Sequence, residues 1–261
     1  MDFAFDDVQL ELKSQSHAWL EQRYPLDRDW DAQQDDRWAE LAELGWLDVA
    51  EAGVGFVEEA LLLEEMGYVL YPGRYLAHVA GQAAANGYAF DGECDIETVD
   101  SSRPLRRVAN GTAETPRLRA AMAAEAVGVA QRALELGVEY AKTREQFGKK
   151  IGVYQAVSHQ LADTYAEVEL ARSLAYWAAW CVAEDDEHAA LAAAAAKAFA
   201  TEAAVKACER SIQVHGGIGF TWEHPLHRFY KRALWLEGFG KRPAELRAEI
   251  AEALLGVAVT A

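Results

Sequence analysis

The chain has 261 residues, with 25 basic against 42 acidic side chains for a formal net charge of −17, and 51% of its residues are hydrophobic. That apolar fraction suffices for a sizeable core and excludes an intrinsically disordered chain. The negative charge opposes nucleic acid and anionic membrane surfaces, which proteins grip mostly through Lys and Arg, so neither is an expected partner.

In chain order, residues 6 to about 24 read as an amphipathic helix with Val8, Leu12, Trp19 and Leu20 near helical spacing. A second helix is predicted from about residue 35 to Leu44. Phe56 to Met66 form a third, ended by Gly67, and residues 75–85 a fourth. Residues 1–88 therefore read as an N-terminal helical domain. Between about residues 89 and 115 the texture changes to two short β-prone runs, Ile96-Glu97-Thr98-Val99 and Leu105-Arg106-Arg107-Val108. Two strands are not stable alone, so this segment must lie against the helices or another subunit.

From residue 116 to 261 the period is helical. One buried stripe is Ala123, Val127, Ala130, Leu134, Gly137 and Ala141. A second is Val157, Leu161, Tyr165, Val168, Ala171, Ala175 and Ala178, and a third runs from Leu191 through Ala198 and Cys208 to His215. A last helix follows Pro243 and carries Leu246, Ile250, Ala253 and Leu254. The expected fold is mainly all-α, with a C-terminal up-and-down four-helix bundle.

No apolar run approaches the ~18 uncharged residues of a membrane span. The opening Met1-Asp2-Phe3-Ala4-Phe5-Asp6-Asp7 lacks the basic and apolar regions of a secretory signal, so a cytoplasmic location is expected. Cys94, Cys181 and Cys208 lie far apart, which fits neither a disulfide framework nor a zinc site. Nucleophile elbows, zinc-protease helices, Walker loops and dinucleotide glycine fingerprints do not occur. His224 and His227 are separated by Pro225, which breaks any helix that would align their rings, and no metal is expected.

Two segments stand out. In Tyr140-Ala141-Lys142-Thr143-Arg144-Glu145-Gln146-Phe147-Gly148 a long helix ends in a basic turn. An ordinary helix end with Gly148 as left-handed cap explains it on its own terms. In Gln213-Val214-His215-Gly216-Gly217-Ile218-Gly219-Phe220-Thr221 three glycines fall within four residues, more than a cap needs, and exposed amides beside an Arg suit a diphosphate.

These segments, with Ala126-Val127-Gly128-Val129-Ala130-Gln131-Arg132-Ala133-Leu134 and Gln155-Ala156-Val157-Ser158-His159, closely resemble the C-terminal bundle of the flavin-dependent acyl-CoA dehydrogenases. The likeness is strong over about residues 117–235. It implies FAD lying extended at a subunit interface, an acyl-CoA substrate, and cofactor contacts from Arg144, Gln146, Phe147, Gln213, Gly216 and Gly217, with Gln155 a weaker contributor. A guanidinium fork and glycine-exposed amides are chemically suited to that diphosphate.

Two departures from the family pattern follow. The middle β-domain, commonly of order 100 residues, is reduced here to a short segment, so this chain is not expected to wall a flavin ring alone. The catalytic base, a carboxylate that takes the α-proton, maps to Gly240 or, in a smaller branch, to Leu118. Neither is acidic, and no catalytic residue is assigned. The resemblance to actinobacterial α2β2 steroid acyl-CoA dehydrogenases implies a heterotetramer in which a second, full-length subunit does the chemistry. Two alternatives stand beside it: a homodimeric enzyme with Glu125 or Glu237 as a relocated base, and a non-enzymatic assembly protein. Coenzyme A phosphates would need a local basic site such as Arg103, Arg106 and Arg107 or a basic partner surface, and that cluster reads equally as a solvated strand edge.

Overall fold

The computed structural model describes residues 5–30, 32, 35–49, 55–81, 83–91, 93–109 and 113–256. Its organising element is a helix that solvent barely reaches. The Thr115 hydroxyl accepts a hydrogen bond from the Leu118 amide, and Pro116 occupies the first turn, where its missing N–H costs nothing. From there α5 (Pro116–Thr143) runs with every residue from 118 to 130 buried. The anticipated stripe is buried, but so are the faces beside it. Five helices pack around α5: α3 (Phe56–Val69), α4 (Tyr75–Ala80), α6 (Gln155–Ala183), α7 (Ala189–His215) and α8 (Leu226–Gly238).

Contacts along α5 fix the direction of α7. Glu114, just before α5, meets Lys197 early in α7, while Gly137 faces Ser211 and Tyr140 stacks on His215 at the far end. The two helices run parallel, with α6 antiparallel to both. Buried alanines at 192, 193, 196, 200, 203, 204 and 207 permit the close packing of α7. A last helix, α9 (Pro243–Leu255), sets Leu246 and Ile250 against Ala194 and Ala198. The bundle therefore gains a helix, α8, that the period search passed over. Its buried Leu226, Phe229, Ala233 and Leu236 advance by threes and fours, but a basic, histidine-rich solvent face obscured them. On α6, Tyr165 departs from the expected stripe: it is 58% exposed, and Thr164 is buried in its stead.

The N-terminal helices are α1 (Asp7–Arg23), entered through a reciprocal Asp6/Gln9 cap, α2 (Trp38–Glu43), α3 and α4 (Tyr75–Ala80). Gly67 does not stop α3, which continues to Val69. It is instead a contact residue, because a Cβ there would strike the Glu125 carbonyl, and one on Gly128 would strike the Glu64 carbonyl and the Tyr68 amide. The two glycines let α3 and α5 cross backbone to backbone. One hydrophobic core runs from Leu20 through α3 and α5 to Phe239, joining the N-terminal helices to the bundle.

The fourth helix stops at Ala80 rather than continuing to residue 85, and the chain turns into a hairpin. β1 (Ala84–Ala85) and β2 (Tyr88–Ala89) are joined by Asn86-Gly87, both at positive φ, the two-residue turn that Asn-Gly favours. β3 (Arg106–Arg107) pairs with β2, so three strands form where two were expected. The run at 96–99 contributes one bridge, Ile96 to Leu105.

This short sheet segment ties into the core through charge. Glu125, 1% exposed, accepts hydrogen bonds from Arg103 at 2.7 Å and from Arg232, and Arg232 also donates to Asp100 and, at 2.7 Å, to Ser102. Two cations and two anions make a neutral buried quartet. Burial alone would raise the Asp100 pKa, but the Arg232 charge and the Arg232 and Ser102 hydrogen bonds outweigh it and hold the carboxyl below its ordinary 3.8.

Gly128→Ala should lower the urea-unfolding stability by about 1–3 kcal/mol or more through overpacking. Gly238→Ala, where an added Cβ meets nothing within 4 Å, should change it by under about 0.5 kcal/mol. Glu125→Gln, which leaves two buried guanidinium groups short of a counter-charge, should cost on the order of 3 kcal/mol. The depressed Asp100 pKa contributes stability that is complete above the ordinary Asp value and is lost as pH falls through the lower folded value. Asp100→Asn should therefore flatten the acid limb of the stability profile in urea midpoints taken from neutral pH down to about pH 3.

Candidate functional site

Both singled-out segments lie at one end of the bundle, because α5 and α7 run parallel and end there. α5 stops at Thr143, and Arg144 is already extended, its N–H donating to the Tyr140 carbonyl at 2.8 Å. The basic turn is not a capped helix end. It is a small hairpin of β4 (Glu145–Gln146) and β5 (Lys149–Lys150), with Phe147 and Gly148 at positive φ in the turn. The Ile151 amide donates to the Arg144 carbonyl at 2.9 Å, and the Tyr154 hydroxyl to the Gln146 carbonyl at 3.2 Å. Residues 142–150 are all exposed, Phe147 at 93%, and Arg144 has no ion-pair partner among the described residues.

The glycine segment forms the facing lip. Gly216 closes α7 at φ +64°, and a Cβ on Gly216 or Gly217 would meet no atom within 4 Å, so the backbone there is open to approach. Gly219 serves packing instead, lying against the Ile212 carbonyl and His215. Gln213 and Gln155, the latter on the first turn of α6, are exposed nearby. Two contacts tie the end of α5 to the end of α7, Gly137 against Ser211 and the Tyr140 and His215 rings stacked at 4.3 Å, while Gly152 packs the hairpin side against the Ala141 carbonyl. All seven residues anticipated from the sequence thus share one solvent-facing end. Exposed Val153, Ile218, Phe220 and Trp222 lie beside them in the chain, an apolar margin rarely left uncovered on such a scale.

His215 is held in place by its Nδ1 contact to the Ser211 carbonyl at 2.8 Å and by ring contacts to Tyr140 and His224. Burial, followed by the nearby His215 and His227, pushes His224 down to about 4. Among the described residues no group of three or more His, Cys, Asp or Glu side chains could hold a metal, and no helix is long and apolar enough to cross a membrane. The three cysteines are free, with Cys181 and Cys208 buried in the bundle.

At the other end lie the positions where a base is expected. Gly240, at φ +71°, cannot carry a side chain: a Cβ there would run into the Glu114 carboxylate. That carboxylate is 1% exposed and ion-paired to the wholly buried Lys197 and, at 3.2 Å, to Arg119. Lys197 also donates to the Phe239 carbonyl at 2.6 Å. Leu118 is fully buried, and Glu125 is clamped between two arginines. Glu237 is pushed up by burial and by the Glu202 and Glu209 charges, and it is not among the residues that line the groove beside Gly240. That groove, about 460 Å³ and lined by Asn86, Tyr88, Trp235, Phe239 and Gly240, has one acidic wall residue, Glu245, which accepts the Arg242 amide as a helix cap.

The basic cluster in the sheet segment is not a phosphate site. Arg103 is buried on Glu125 and the Gly73 carbonyl, Arg106 is paired with Asp91, and Arg107 lies over the Tyr88 ring. Arg103 has instead the structural role described above. The sequence signal that hid this was simple proximity: three arginines within five residues look like one surface.

Comparison with known proteins agrees with this geometry. The family profile described as "Acyl-CoA dehydrogenase, C-terminal domain" matches residues 108–255, more than half of the chain. Acyl-CoA dehydrogenase IpdE2 of Mycobacterium tuberculosis is 40% identical over 150 residues, covering 53% of this chain and 44% of that protein. The chain thus matches less than half the length of this curated relative. Among solved structures, the ChsE4-ChsE5 complex from Mycobacterium tuberculosis superimposes with a TM-score of 0.79 at 21% identity, covering 99% of this chain and 100% of that one. The Tcur3481-Tcur3483 steroid ACAD gives 0.76 at 23%, covering 96% and 98%. At such identities the likeness establishes the fold, and with the profile match it establishes kinship: this chain belongs to the acyl-CoA dehydrogenase family, through that family's C-terminal domain.

Proposed function

We propose that this chain is a subunit of an FAD-dependent acyl-CoA dehydrogenase, gripping the adenosine and pyrophosphate half of a flavin whose reactive ring is housed by a longer catalytic partner. The reaction is α,β-dehydrogenation of an acyl-CoA thioester, of the steroid or lipid-degradation class. One observation carries the reading: the end of the bundle suited to a diphosphate is open, while the position suited to a base is filled and neutralised.

When bound, the flavin accepts the hydride from the substrate β-carbon. The residues of this chain bind and orient. Arg144, exposed and without an acidic partner among the described residues, presents two parallel N–H donors to phosphate oxygens. The Gly216 N–H is engaged by the Ile212 and Gln213 carbonyls as the cap of α7, so Gly216 gives this end its open shape and the backbone at Gly217 is the part left for the diphosphate to approach. Gln146, Gln155 and Gln213 offer amide donors and acceptors to the ribose and adenine, and the exposed Phe147 ring a stacking face. The carboxylate packed against Gly240, that of Glu114, is already spent on Lys197 and Arg119. The heteromeric ChsE4-ChsE5 and Tcur3481-Tcur3483 complexes support an assembly of two unlike chains.

The reading is tested by co-expressing the chain with a neighbouring full-length acyl-CoA dehydrogenase chain and recording flavin spectra. The complex should hold FAD and the isolated chain should not. Arg144→Ala in the complex should weaken FAD retention by about ten- to a hundredfold, the loss of a charge-assisted contact. Tight stoichiometric FAD on the isolated chain, bleached by acyl-CoA, would overturn the two-chain arrangement. Unchanged FAD content in the Arg144→Ala complex would leave a purely architectural role. Gly240→Glu should not confer dehydrogenase activity on the isolated chain. It should lower stability by about 1–3 kcal/mol or more, because the new side chain collides with Glu114.

A further inference from the structure

Arg28 lies in the segment after α1, and its surroundings are unusual for a chain this acidic. Its Nη1 donates to the Tyr24 carbonyl at 2.9 Å and its Nη2 to the Val69 and Leu70 carbonyls at 2.9 and 3.2 Å. Its plane lies 3.6 Å over the Trp30 ring, and its Nε is buried with no acceptor. All of these partners are neutral. Burial, followed by the Arg232 and Arg228 charges, pushes it down to about 10.

These groups line a small cavity of about 70 Å³ between the segment around Arg28 and α8, walled by Arg28, Trp30, Asp100, Ser102, Arg228 and Lys231, with Arg232 behind. The one acidic wall residue, Asp100, is engaged by Arg232 and by the Ser102 amide and hydroxyl, and Arg232 is already balanced within the quartet. Lys231, one position before it, sits 4.6 Å over the Trp222 ring without a carboxylate. Among the described residues, neither Arg28 nor Lys231 has a carboxylate partner at this pocket. A half-buried guanidinium with only neutral acceptors favours an anion beside it. The volume exceeds the ~10–15 Å³ that one water requires, and it is too small for a nucleotide.

We propose that this cavity is a binding site for a tetrahedral oxyanion, either the free phosphate ion or a terminal phosphomonoester. Arg28 would supply its unsatisfied Nε–H, Lys231 a mobile ammonium, and the backbone near Ser101 and Ser102 the remaining wall. A dianion matches the two surplus charges where chloride matches one.

The test is calorimetric titration of the purified chain with inorganic phosphate, at constant ionic strength set by chloride, and with adenosine 3′-monophosphate in a second arm. Saturable phosphate binding is expected, with a change in tryptophan emission that Trp30→Phe removes. Lys231→Met should weaken it about tenfold or more, and Lys231→Arg should restore it. Arg28→Met should abolish it, with urea midpoints of each variant showing that the fold persists. Binding by the phosphate ion alone identifies a free-ion site, and binding of both probes a phosphomonoester site. No saturable binding beyond chloride, or equal affinity in a folded Lys231→Met variant, would overturn the assignment.

Discussion

Everything in this fold is arranged around a helix with almost no solvent face. The first half of α5 is covered by α3, α4, α6, α7 and α8, so each of its side chains must be small, apolar or fully compensated. Alanines at 120, 121, 123, 124, 126, 130 and 133 meet the first demand, and Gly128 meets it where α3 crosses. Compensation explains the rest. Arg119 is paired with Glu114 and Glu249, and Glu125 with Arg103 and Arg232. The same helix then leaves the crowd, and its far end carries the exposed hairpin that presents Arg144. One element thus links the most constrained and the most accessible parts of the chain.

The net charge conceals a division of labour. Acidic residues dominate the sequence, yet several of the most buried polar side chains are cations: Arg232, Lys197, Arg103 and Arg119. Each neutralises a carboxylate that the packing forces inward. Burial lowers the Lys197 pKa and the Glu114 charge raises it, with burial prevailing. Such pairs are not a large net source of stability against apolar replacements, but removing one member leaves the other stranded. That asymmetry makes the buried ion pairs restrictive. They fix which helix meets which, because only one arrangement leaves no charge alone.

Much of this was legible in the sequence. The helical periods of α5, α6 and α7 and the proline start of α9 gave the bundle, and the Arg144 to Gly148 and Gln213 to Gly219 segments proved to share one end of it. What escaped has physical reasons. Gly67 reads as a helix terminator, and only the three-dimensional crossing reveals that the Glu125 carbonyl needs its missing side chain. The hairpin at Asn86-Gly87 carries a strong local turn signal, but alanine-rich flanks mask its strands. α8 hides its apolar stripe behind His227, Arg228 and Lys231. The meeting of Glu114 with Gly240 joins residues more than a hundred positions apart, a contact that no local pattern encodes.

The short sheet segment looks like the leftover of a larger domain, yet its charges give it a present task. Glu125 and Arg232 face each other in the core, and their pairing is incomplete: Glu125 has capacity for a second donor and Arg232 for a second carboxylate. Arg103 and Asp100, both from the segment between β2 and β3, supply these. Removing the segment altogether would strip both outer members from the quartet and open α5 to water. The cost of burying charge therefore binds the connection between α4 and α5 to the core of the bundle.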